Sequence, residues 1–154
     1  MSDEQQPVFS IEKIYVKDMS VEVPGAPQVF LQADSPKIEV QLAQNVQTAA
    51  EGLYEVTLVV TVTAKSEERT LFLAEAHQAG LFQIRNVPDS DMAAVLGMVC
   101  PNVLFPYARE TISDVINRAG FPPVLLAPVN FEALFQQRMA EEQAAQGPRI
   151  EVAR

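Results

Sequence analysis

Apolar residues in the first half of the chain recur at every second position, the period of a strand whose side chains alternate between two faces. Phe9 and Ile11, then Ile14 and Val16, then Met19, Val21 and Val23 keep that spacing, but the phase slips between groups. Such slips predict one long strand with bulges near Glu12–Lys13 and Lys17–Asp18. Pro24-Gly25-Ala26-Pro27 stops regular pairing, and a long loop is expected to about Pro36. Ile38, Val40 and Leu42 alternate with Glu39 and Gln41 as a half-buried strand. Tyr54, Val56, Leu58, Val60 and Val62 lie opposite Glu55, Thr57, Val59, Thr61 and Thr63, forming the clearest strand in the sequence. After a charged turn from Lys65 to Glu68, a fourth strand runs from Thr70 to Ile84, with an interruption expected at Gly80. Four successive strands with short turns and one long crossover predict an antiparallel sheet.

The period then changes. Asp89-Ser90 is read as a helix cap. Met92, Val95, Leu96 and Val99 have helical spacing, as do Ala108, Ile112, Val115, Ile116 and Ala119. Pro101 and Pro106 are expected to kink or split this segment, and Gly120 to close it. Phe121 to Pro128 must be extended. Asn130 caps a last helix whose Phe131, Leu134, Phe135 and Met139 form an apolar stripe. The fold class is α+β. Residues 1–8 are read as a flexible N-terminus, 9–146 as one folded domain and 147–154 as a flexible tail. Apolar residues on both strand faces, such as Val59, Leu71 and Leu73, call for further cover, by oligomerisation or by a bound chain.

Bulk properties narrow the function. With 154 residues, 48% of them hydrophobic, the chain has the size and composition of one domain with a real core. A net charge of −9 and a pI near 4.5 exclude nucleic acid as the natural ligand, since phosphate recognition needs clustered Lys and Arg. One cysteine permits no internal disulfide and fits a reducing cytosol. No apolar run approaches the roughly 20 residues of a membrane span, and the acidic start is unlike a secretory signal.

Catalytic chemistry has little to build on. His77 and Cys100 are the single residues of their types and lie far apart in sequence. His77 reads as a surface or interface residue and Cys100 as an inert buried thiol. No phosphate-binding loop, dinucleotide fingerprint or metal-ligand spacing is present, so neither cofactor nor metal is expected.

Several stretches resemble the SecB family of export chaperones. They include Ile14-Tyr15-Val16-Lys17-Asp18-Met19-Ser20, Glu22 with Pro24-Gly25-Ala26-Pro27, Tyr54-Glu55-Val56, Thr61-Val62-Thr63-Ala64 and Gly80-Leu81-Phe82. The longest runs from Cys100-Pro101-Asn102 through Phe105-Pro106-Tyr107-Ala108-Arg109-Glu110, followed by Gly120-Phe121-Pro122-Pro123 and Leu126-Ala127-Pro128-Val129-Asn130-Phe131. The similarity extends from about Phe9 to Phe135.

The resemblance implies a four-stranded antiparallel sheet with a long helix and a C-terminal helix, assembled as a dimer of dimers in the cytoplasm. It implies an ATP-independent holdase that binds unfolded secretory precursors and delivers them to the SecA motor ATPase, without nucleic-acid binding or direct membrane insertion. The family's client groove corresponds here to Phe30, Ile38, Val40, Leu42, Leu126, Phe135 and Met139. Its SecA contacts correspond to Asp18, Glu22, Leu73 and Glu75. The tail, with Arg149 and Arg154, departs from the family pattern. Two rivals stand beside this reading: a SecB-like chaperone serving a toxin–antitoxin pair, and a small-ligand enzyme using Cys100 or His77.

Overall fold

The computed structural model describes residues 5–32, 35–67 and 69–146. Four strands, β1 (Val8–Glu22), β2 (Lys37–Ala50), β3 (Leu53–Ser66) and β4 (Arg69–Arg85), form one antiparallel sheet in the order β1-β4-β3-β2. The β1–β2 connection therefore crosses from one edge of the sheet to the other. It contains a short 3-10 helix, Gln28–Leu31, whose Val29 is buried in the core. The register of β1 on β4 shifts between Ile11 and Lys13 and again between Val16 and Asp18, where the phase of apolar residues slips in the sequence.

One face of the sheet carries the core. Val56, Leu58, Val60 and Val62 of β3 are fully enclosed, beside Ala74, Ala76 and Phe82 of β4. The helical segment lies across these two central strands: α1 (Asp89–Ala94), a π-helical turn (Val95–Val99) and α2 (Cys100–Arg118). Cys100, Leu104, Ala108, Ile112, Val115 and Ile116 recur at three- and four-residue intervals and are all buried, which is the helical stripe the spacing predicts. Gln78 is buried between sheet and helix with both polar atoms satisfied. Its Oε1 accepts from Thr111 Oγ1 at 2.8 Å, and its Nε2 donates to the Tyr15 carbonyl at 3.3 Å. Asn130 caps α3 (Phe131–Ala145), its side-chain oxygen accepting from the Ala133 amide at 3.0 Å.

Four expectations need correction or refinement. β4 is not interrupted at Gly80. A Cβ there would come within 2.7 Å of the Phe82 ring and 3.0 Å of Leu104, so the missing side chain lets α2 lie close to an unbroken strand. The helix cap is Pro88 rather than Asp89-Ser90, and no side chain bonds the free amides. Asp89 and Asp91 instead bring negative charge to the first turn, where the helix dipole favours it. Of the expected kink or split, the segment shows a π turn, Val95–Val99, directly before Cys100-Pro101, while α2 runs on unbroken through Pro106. Proline's ring crowds the carbonyl four residues earlier, Gly97 for Pro101, and this carbonyl lies within the wider π turn, closed by the Cys100 amide donating to the Val95 carbonyl. Finally, the 30 residues from Asp89 to Arg118 are long and apolar enough to cross a membrane by length and composition alone. Here their apolar stripe packs on the sheet.

Gly120 closes α2 at φ +96, as expected of a residue tolerant of positive φ. The expected mobile tail at 147–154 and the first four residues of the expected mobile N-terminus lie outside the described residues.

Candidate functional site

Because α2 covers the central strands, the inward face of the edge strand β2 lacks a helical roof over its first half. Ile38, Val40 and Leu42, at alternate positions, point to this side. The extended segment after α2 runs alongside and closes a cleft of about 370 Å³ lined by these three residues with Phe105 and Val124 to Val129. Val40 is 45% exposed and Leu125 78%, so the cleft leaves apolar surface open to solvent. Leu126 is buried in the wall and anchors the segment to the core. Leu42 also lines an adjoining space of about 210 Å³ whose lining is mixed, Phe131 and Leu134 standing with Gln44, Gln137, Arg138 and Glu141, so the surface turns polar toward α3. Gln44 keeps a buried side-chain oxygen there with no donor among the described residues.

The seven residues proposed for the groove thus divide. Ile38, Val40, Leu42 and Leu126 share one cleft. Phe30 lies elsewhere, its ring 5.3 Å from that of Phe121, which in turn packs 4.8 Å from Phe72. Gly120 permits this contact, since a Cβ would sit 3.0 Å from the Phe30 ring. Phe135 packs against Gly97 of the π turn, and Met139 is a partly exposed residue of α3. The sequence reading missed Leu125, Val124 and Phe105. The Leu125-Leu126 pair beside Pro128 is a signal that strongly apolar residues occupy an extended stretch.

The opposite face of the sheet is mixed, with Glu55, Thr61, Glu75 and His77 standing among Val59, Leu73 and Leu81. Across β1 and β4, Glu22 pairs with Leu73, Ser20 with Glu75, and Asp18 with His77. Glu22, Leu73 and Glu75 line a shallow depression of about 210 Å³ with Ser20, Thr61 and Ala74. Asp18 lies further along the same face, and His77 Nε2 lies 3.2 Å from Glu75 Oε1. Beyond them is a hydrogen-bonded cluster missed in the sequence: the Tyr15 hydroxyl donates to Glu55 Oε2, and Lys17 Nζ lies 2.6 Å from Glu55 Oε1. Lys17 and then Tyr15 hold the Glu55 carboxyl below its ordinary range, while burial and then Glu55 push the Tyr15 hydroxyl up to about 12.

Cys100 is a buried free thiol pushed up to about 12 by burial, the opposite of an activated nucleophile. Among the described residues no group of three or more His, Cys, Asp or Glu is placed to hold a metal.

A sequence model of the family described as "Preprotein translocase subunit SecB" matches residues 2–142. The chain belongs to the SecB family. Protein-export protein SecB of Chromobacterium violaceum is 63% identical over 147 residues, covering 94% of this chain and 98% of that protein. That of Neisseria gonorrhoeae is 54% identical over 94% and 99% of the two chains. Among solved structures, a SecB-like chaperone of Mycobacterium tuberculosis, in complex with a peptide from an antitoxin, superposes with a TM-score of 0.65. At 18% identity over 79% of this chain and 90% of that one, it bears on the fold alone. This SecB-family chain is a protein-export chaperone and not an enzyme.

Proposed function

We propose that the chain is a cytoplasmic, ATP-independent holdase that binds unfolded secretory precursors in the apolar cleft and delivers them to the SecA motor. The observation that carries this reading is the cleft between β2 and the segment Val124–Val129, apolar along its length and open at the surface. A holdase must accept many sequences, so continuous apolar surface serves it better than a shaped pocket. Each large side chain of the client buried there contributes about 1.5–3 kcal/mol, so one cleft binds weakly and several acting on one long client bind well.

Ile38, Val40, Leu42 and Leu126 form the primary contact, while Phe30, Phe135 and Met139 flank it on other elements. Asp18, Glu22, Leu73 and Glu75 dock on SecA, three carboxylates and an exposed leucine suited to a basic partner with an apolar spot. The chain assembles as a dimer of dimers. Support comes from edge strand β1, whose Phe9, Ile11, Val16 and Met19 leave a row of large apolar side chains exposed.

The test is titration of the purified protein into a slowly folding precursor diluted from denaturant, without nucleotide. Arrest of refolding near one tetramer per client, with no effect on the folded form, is the expected result. Unchanged refolding at excess protein would overturn the holdase reading.

A further inference from the structure

On the outer face of the sheet, the bulge between Val16 and Asp18 gives Lys17 no partner of its own in the β1–β4 register. Both Lys17 and Asp18 reach this face: Lys17 Nζ meets Glu55 of β3, and Asp18 pairs with His77 of β4. Adjacent α-carbons are about 3.8 Å apart, and a lysine stem carries its charge further than that. Left unrestrained, the ammonium would sweep the region of Asp18 and neutralise carboxylate charge there. Instead it lies 2.6 Å from Glu55 Oε1, and the second oxygen of the same carboxylate is bonded by the Tyr15 hydroxyl. Glu55 is well covered, its side chain 16% exposed against 47% for Lys17, so the fixed member of the pair is the carboxylate.

We infer that Glu55, held by Tyr15, is a positioning residue that keeps the Lys17 charge away from Asp18 and so preserves the acidity of the docking face. The inference rests on the reading that Asp18, Glu22 and Glu75 dock on SecA. Two acids of like sign on one face of the sheet, on β1 and β3 with β4 between them, would ordinarily be read as equivalent docking charges. Here they have opposite relations to the partner: Asp18 faces it, and Glu55 occupies the cation that would compete with it. The lowered proton affinity of Glu55 fits this role, since the carboxylate stays charged across the physiological range.

The experiment measures binding of purified SecA to the full-length protein by calorimetry at low salt, for the unsubstituted chain, Glu55→Gln, Lys17→Met and the double variant. Arrest of client refolding is followed in parallel to confirm that each variant is folded. Glu55→Gln is expected to weaken SecA binding about threefold to tenfold, and adding Lys17→Met to restore it to within about twofold. Lys17→Met alone changes binding less than about twofold. Unchanged binding in Glu55→Gln, or no restoration in the double variant, would overturn the inference. So would an equal strengthening by Lys17→Met in both backgrounds, because a lysine already held aside has little to give up. Should Glu55→Gln fail to arrest refolding, Tyr15→Phe loosens the same carboxylate, and a smaller loss restored by Lys17→Met is required. Absence of SecA binding by the unsubstituted chain would instead overturn the docking reading itself, and this inference with it.

Discussion

Tyr15 and Glu55 share one hydrogen bond and shift in opposite directions, Tyr15 up through burial first and Glu55 down through Lys17 first, with the shared bond adding to each. Burial and the adjacent carboxylate both disfavour tyrosinate, so the hydroxyl stays protonated up to about 12. A raised folded-state value contributes stability that is present below the ordinary tyrosine value and lost as pH rises toward the folded one. Difference absorbance at 295 nm, comparing Tyr15→Phe with the parent, is therefore expected to place Tyr15 ionisation above pH 11. Glu55 behaves conversely. Its depressed value contributes stability above the ordinary carboxylate range, lost as pH falls through the folded value. The destabilisation caused by Glu55→Gln, about 0.5–1 kcal/mol at neutral pH, is expected to shrink in denaturant melts below pH 4. Cys100 gives a third check: alkylation at pH 8 is expected to run at least about a hundredfold slower in the folded protein than in denaturant. Burial of this thiol was legible from its apolar helical neighbours. The Tyr15–Glu55–Lys17 cluster was not, because no sequence pattern reveals which residues of distant strands pair.

At the level of elements, strands and helices follow the change of apolar period from two to about 3.6, and the strand bulges follow the phase slips. The misread features are local signals whose meaning depends on tertiary packing. Gly80 resembles a break in a strand, yet its role is to admit the Phe82 ring and Leu104. Gly80→Val is accordingly expected to cost about 1–3 kcal/mol in denaturant melts, more than a β-branched residue would cost in an open strand. Pro101 resembles a helix breaker, yet a wide π turn before it carries the chain through. Asn130 was legible because a cap is a local bond. Asn130→Ala is expected to lower stability by about 1 kcal/mol and to raise amide exchange in the first turn of α3 before it affects β3.

For the whole molecule, the cleft was legible in part. Alternation placed Ile38, Val40 and Leu42 on one face, but the wall formed by Val124, Leu125 and Phe105 depends on where an extended segment lies, which periodicity does not encode. Val40→Ser is expected to raise the concentration needed for half-arrest of a client about threefold to tenfold while changing stability by under about 1 kcal/mol, since Val40 is already 45% exposed. Asp18→Ala with Glu75→Ala is expected to spare arrest and weaken SecA binding, as read by calorimetry. Equal loss of both functions would contradict that division of labour. The two-residue alternation of β2, β3 and β4 has a further bearing on the proposed hand-over of a client. Each strand residue sends its side chain to one side only, so the two faces are contacted by different sets of residues. If a client fills the cleft and a motor docks on the outer face, as proposed, no single side chain of these strands touches both, and coupling by contact between the two events requires the backbone itself to move.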